Sequence, residues 1–113
     1  MPYAVCFVHP IATKNIAAHQ KMARVNAKIW KRCGALQYRE TVADDLKAPW
    51  GGVKCKPGET VVVGWVLYKS KAHRKQVNAK VEKDPLTLRF DFSKLAFDPK
   101  RMTYGGFKVL AAA

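Results

Sequence analysis

Thr60 to Tyr68 contains VVVGWVLY, a nearly continuous apolar run of strand-forming residues. A run of this kind reads as a central strand covered on both faces, because a strand with one wet face alternates instead. It fixes the fold class more than any other stretch. A central strand needs neighbours on both sides and something apolar above and below it.

The neighbours are legible. Tyr3 to His9 reads as a strand of β-branched and aromatic residues, stopped by Pro10. Thr13 is placed to cap a helix. Along that helix His19, Met22, Ala23, Asn26, Ile29, Trp30 and Cys33 form one stripe at helical spacing, while Lys21, Arg24, Lys28, Lys31 and Arg32 fall largely outside it. Gly34 suits the position just past a helix end. Ala35 to Ala43 reads as a second strand, with Leu36, Tyr38, Glu40 and Val42 on one face. Asp44 to Gly58 is a loop, punctuated by Pro49, Gly51, Gly52, Pro57 and Gly58. After the central strand, Ser70 can cap a second helix bearing His73, Val77 and Val81 on one stripe, and Asp84-Pro85 ends it. Leu86 to Leu95 alternates like a strand but is short and charged. Met102 to Leu110 is the last strand, with Gly105 and Gly106 in its interior, where a bulge, a close approach or simple curvature would use them.

The order β-α-β-β-α-β defines an α+β, ferredoxin-like domain: a four-stranded antiparallel sheet in the order 4-1-3-2, with two helices on one face. The 113 residues suit a single domain, 1–113. Two helices cover only one face of the sheet. The apolar residues on both faces of the central strand therefore predict a homodimer through the sheet faces.

Composition bounds the surroundings. Lys and Arg outnumber Asp and Glu by 21 to 8, for a net charge of +13. Such a chain attracts polyanions, and non-specific nucleic-acid binding is the second function class beside a small-molecule pocket. No nucleic-acid motif accompanies the charge. No secretory signal and no membrane span are read, so a cytoplasmic location is expected. Three cysteines without a CxxC, Cys6, Cys33 and Cys55, predict free thiols.

The stretches FDPKRMTYGGF from Phe97 and ETVVVGWVLYKSKAHRKQVNAKVEKDP from Glu59, with GAL at Gly34, resemble the YbaA-like family of small bacterial proteins of unknown function. The likeness runs from Pro2 to about Val109. It implies a dimeric α/β-barrel, in which two ferredoxin-like sheets pack face to face. It carries no activity over with it. Relatives usually have Asp-Gly at Val5-Cys6, an apolar residue at His9 and tyrosine at His19.

The candidate pocket residues are His9, His19, Tyr38, Glu40, Trp65 and His73, expected around a cavity between sheet and helices, with a small anionic or apolar ligand. Glu40 stands out because acids are scarce. Lys100 and Arg101 are the candidate anion site. The spacing of the three histidines matches no metal motif and no carboxylate is expected beside them to complete one, so neither a metal nor a cofactor is expected. No nucleophile–base pair, P-loop or dinucleotide fingerprint is present.

Overall fold

The computed structural model describes residues 2–46, 50 and 52–113. Pro49 and Gly51, two of the expected turn residues, lie outside these. Four strands form one antiparallel sheet: β1 (Tyr3–Ala12), β2 (Gln37–Val42), β3 (Glu59–Tyr68) and β4 (Thr103–Lys108). Their order is β2-β3-β1-β4, the arrangement expected from the sequence. Helix α1 (Ile16–Arg32) connects β1 to β2, α2 (Lys71–Lys83) follows β3, and a single turn of helix, α3 (Pro85–Leu88), follows α2. No helix among the described residues is long and apolar enough to cross a membrane.

The stripe on α1 behaves as its spacing requires. His19, Ile29 and Cys33 are buried, Met22, Ala23, Asn26 and Trp30 are half-buried, and the five basic residues outside the stripe are exposed. Gly34 ends the helix with φ +116°, a conformation that favours glycine. Val77 and Val81 of α2 meet Ile29, Cys33, Val66 and Tyr68 in the core on the helix side of the sheet. Each valine so buried contributes about 1.5–3 kcal/mol.

Three local expectations change. β1 does not stop at Pro10 but runs on to Ala12, paired with β3 throughout. β4 accompanies β1 only as far as Val8, so beyond that point β1 has an open edge, where a missing N–H is tolerated. Because the strand is longer, Thr13 is not the helix cap. A 3-10 turn at Thr13–Asn15 precedes α1, and the Thr13 hydroxyl donates instead to the Gly58 carbonyl at 3.0 Å. Leu86 to Leu95 contains no strand. The Asp84 carboxylate accepts from the Leu86 N–H at 3.0 Å, with Pro85 at the first helical position, and this starts α3. Ser70 caps α2 as expected, its hydroxyl accepting from the His73 N–H at 3.0 Å.

The register settles which residues share a face. Val62, Gly64, Val66 and Tyr68 of β3 lie towards the helices, with Tyr38 and Glu40 of β2 and Val5, Phe7 and His9 of β1. Val63, Trp65 and Leu67 lie on the opposite, uncovered face, with Ala4, Cys6 and Val8. β4 pairs without interruption from Thr103 to Lys108, so its two glycines are not a bulge. Gly106 leaves room for an aromatic ring: a Cβ there would lie 1.8 Å from the Tyr3 hydroxyl oxygen. Gly64 does the same for Phe7 on β3, where a Cβ would lie 2.2 Å from the ring.

Candidate functional site

A cavity of about 440 Å³ lies between the sheet and the helices. Its walls are mostly apolar. The sheet contributes Val5, Phe7, Val66 and Tyr68, α1 contributes Met22, Val25, Ile29 and Trp30, and the stretch after α2 contributes Leu86, Phe90, Phe92 and Leu95. The Phe90 and Phe92 rings meet edge to face, their centroids 4.9 Å apart.

Polar groups are gathered where three elements converge: the far half of β1, the first turn of α1 and the middle of β2. His19 Nε2 donates to Glu40 Oε1 at 2.8 Å, and the Tyr38 hydroxyl donates to Glu40 Oε2 at 2.8 Å. Tyr38 reaches the Glu40 carboxylate because residues two apart on a strand share a face. His9 Nδ1 lies 3.0 Å from the carbonyl oxygen of Pro10. Donating its proton there leaves the lone pair on Nε2. Phe97 stacks on the His9 ring, with centroids 3.8 Å apart, and stands edge-on to His19 at 5.5 Å. His9 and His19 are 1% and 6% exposed. Among the described residues, the buried side-chain polar atoms without a hydrogen-bond partner are His9 Nε2, His19 Nδ1 and Thr87 Oγ1, and all three residues line this cavity.

Burial shifts the protonation of this group. It pushes His9 below the usual histidine value, against the pull of the Pro10 carbonyl. It pushes the Tyr38 hydroxyl strongly upward, and the adjacent Glu40 charge adds to this. Burial would also raise Glu40, but the hydrogen bonds from His19 and Tyr38 outweigh it, and the carboxyl ends below its ordinary value. The cluster is therefore an ionised carboxylate held by two donors, beside a neutral imidazole.

The structure places His9, His19, Tyr38 and Glu40 in one wall, and it does not bring His73 or Trp65 to them. His73 lies in the first turn of α2, where its Nδ1 accepts from the Lys69 N–H at 3.0 Å and its ring stands edge-on to Tyr68. Its ring is used to finish the helix start, so it is a structural group. Trp65 is on the uncovered sheet face, and its indole N–H donates to Gln37 Oε1 at 2.8 Å. The expectation that no carboxylate stands near the histidines is also overturned, since Glu40 lies against His19. Sequence reading missed Phe97 and Thr87 as parts of the wall. Phe97 opens the FDPKR stretch that carried the family resemblance, and that was the available signal.

The anion site expected at Lys100 and Arg101 is not formed. Arg101 holds both oxygens of Glu59, at 2.7 and 2.8 Å, and the Lys54 carbonyl at 2.9 Å. Asp98 caps the turn before β4 by accepting from the Lys100 N–H at 3.0 Å. The Arg101 guanidinium and the Lys56 N–H hold Glu59 down to about 2. A depressed carboxyl stabilises the fold at pH values above its unfolded pKa and loses that contribution as pH falls through the folded one. The pair should thus support the fold fully above about pH 4.5 and give up that support towards pH 2. Thermal melts of the parent and Glu59→Gln across this range should differ at pH 6 and converge near pH 2. A gap that persists unchanged at pH 2 would contradict this assignment.

An α+β domain with a ferredoxin-like sheet and an apolar cavity ending on a buried His-Glu-Tyr cluster is the class of protein defined here. The family described as "Protein of unknown function (DUF1428)" matches residues 2–99, and the chain belongs to it. It is 36% identical over 115 residues to the uncharacterized protein YbaA of Escherichia coli K12, covering 96% of each chain, and equally so to its counterpart in Shigella flexneri. Among solved structures it is similar to a dimeric ferredoxin-like protein from an uncultured marine organism. The TM-score is 0.56, with 19% identity and all of both chains covered, which bears on the fold.

Proposed function

We propose that the protein binds a small, largely apolar molecule in the cavity between sheet and helices, with the molecule's polar head against the Tyr38–Glu40–His19 end. The observation that carries this reading is the cavity itself. About 440 Å³ of apolar-walled space with a few convergent polar groups at one end is what small-molecule sites look like. A core built only for stability would close around such a volume, because empty apolar space is destabilising. Thr87, whose buried hydroxyl has no partner, offers the ligand a further hydrogen bond on the opposite wall. The general positive charge raises the local concentration of anionic molecules, but Glu40 sits at the polar end and favours a neutral head there.

The expected result is a saturable rise in melting temperature with two-ring aromatics, larger for 2-naphthol than for naphthalene, measured in chelator-treated protein. Val25 lines the cavity and is 42% exposed. Val25→Trp should fill the space, leave the fold intact and abolish the shift. The reading fails if no apolar compound of this size stabilises the parent, or if Val25→Trp responds like the parent.

The assembly belongs to the same proposal. The chain acts as a homodimer through the face carrying Val63, Trp65 and Leu67, opposite the helices. The similar solved protein is described as dimeric, in keeping with this.

A further inference from the structure

We propose that His9, His19 and Glu40 bind one divalent first-row transition-metal ion at the polar end of the cavity. Each of the three offers a ligand atom, and these atoms all lie within 4.8 Å of one another. Two imidazoles and one carboxylate are a donor set used by catalytic zinc and by non-haem iron, in sites that keep positions open for a substrate.

The unpartnered atoms point the same way. His9 Nε2 and His19 Nδ1 are buried without a hydrogen bond, and each residue is more than nine-tenths buried. Buried polar atoms are ordinarily satisfied, so the lone pair on His9 Nε2 asks for a partner, while His19 Nδ1 is free to carry its ring's proton when Nε2 ligates. The His9 and His19 rings are nearly perpendicular with centroids 5.3 Å apart, and neither unpartnered nitrogen is hydrogen-bonded to the other ring. A cation is a suitable partner, because it bonds to lone pairs and is balanced by the Glu40 carboxylate.

The surroundings are those of a supported site. Ligating histidines usually donate their other N–H to a carbonyl or carboxylate, and ligating carboxylates are themselves hydrogen-bonded. Here His9 Nδ1 is on the Pro10 carbonyl and Glu40 Oε2 accepts from Tyr38. Phe97 covers the His9 ring and keeps water from one side. Ligand atoms about 2.0–2.2 Å from a tetrahedral ion stand roughly 3.3 Å from each other. With His19 Nε2 and Glu40 Oε1 as ligands, their 2.8 Å contact must open slightly, and the proton that Nε2 donates to Glu40 must move to Nδ1 or leave. The thiols are not involved: Cys33 is in the core, Cys55 is exposed and Cys6 is on the other sheet face.

This inference does not depend on the organic ligand, and its test uses none. Chelator-stripped protein is titrated with Co²⁺, followed by visible absorption and equilibrium dialysis. One Co²⁺ per chain is expected, with d–d bands and no thiolate charge transfer. His9→Gln and Glu40→Gln should each weaken binding roughly 100-fold or more. His73→Ala, outside the cluster, should leave it unchanged. Should a buried-site variant not fold, the parent still decides: Zn²⁺ must shift the His9 and His19 ring resonances in its NMR spectrum and spare that of His73. No uptake by the folded parent, uptake undiminished by His9→Gln, thiolate bands, or unmoved His9 and His19 resonances overturn the proposal.

Discussion

Gly64→Ala is expected to destabilise the protein by about 2–3 kcal/mol, the upper part of the roughly 1–3 kcal/mol usual for overpacking an interior, lowering the melting temperature by roughly 10 °C. The substituted methyl would lie 2.2 and 2.5 Å from the Phe7 ring and 2.9 Å from the carbonyl oxygen of Arg39. The ring can swing only into the cavity or against Tyr38, whose ring centroid is 6.5 Å away. The Arg39 carbonyl belongs to the paired backbone of β2 and cannot move without disturbing the ladder. Gly105→Ala is the control. Its Cβ would meet the Phe107 ring at 3.5 Å, an ordinary contact. There the loss of backbone freedom in the unfolded chain should make the change neutral or slightly stabilising. Both substitutions put alanine for glycine inside a strand, so propensity cancels between them and packing remains. Equal melting temperatures for the two variants would show that Phe7 does not depend on the space above Gly64.

The two glycines show what the sequence could and could not reveal. VVVGWVLY is readable as a central strand because apolar continuity is a local property. That Gly64 makes space for Phe7, nearly sixty residues earlier, is not local. The helix stripe on α1 and the stop at Gly34 are legible for the same reason as the strand. Pro10 and Thr13 misled because their meaning depends on where β4 ends, which no local pattern states. LTLRFDF alternates like a strand, yet both edges of the sheet are already assigned and the Asp84-Pro85 cap starts a helical turn.

The site divides in the same way. Glu40 and His19 drew notice as unusual residues on their elements, but their contact joins residues 21 apart in the chain. A metal motif is recognised by short spacing, and positions 9, 19 and 40 have none. His73 shows the opposite error. Spacing puts it on the stripe of Val77 and Val81, which are buried, but from the first turn its ring reaches back to the Lys69 N–H, just before the Ser70 cap.

Val63→Glu is expected to convert a dimer into a folded monomer, whereas Val62→Glu should abolish folding. The sequence left open which side of β3 would face a partner, and the register shows which side the helices occupy. Val62 is 3% exposed on the helix side, beneath the elements that form the core. A carboxylate placed there, across from the buried His9, must either ionise in a desolvated setting or disrupt it. Val63 is on the uncovered side, between Val8 on β1 and Thr41 on β2, with Trp65 and Leu67 further along its own strand. In a single chain these residues would leave an apolar sheet face in water, while a second copy buries it by twofold symmetry. A carboxylate introduced there would be buried against the partner's apolar face, where it loses its solvation. Charge gives a second, independent signature. Each chain carries +13, so association works against repulsion that salt screens. The dimer should therefore tighten between 0.05 and 0.5 M salt, a trend opposite to that of an interface held by ion pairs. Light scattering on the parent and both variants, with circular dichroism to report folding, measures all of this. A parent that is monomeric at micromolar concentration in high salt, or a Val63→Glu variant that remains dimeric, would place the partner surface elsewhere or remove it.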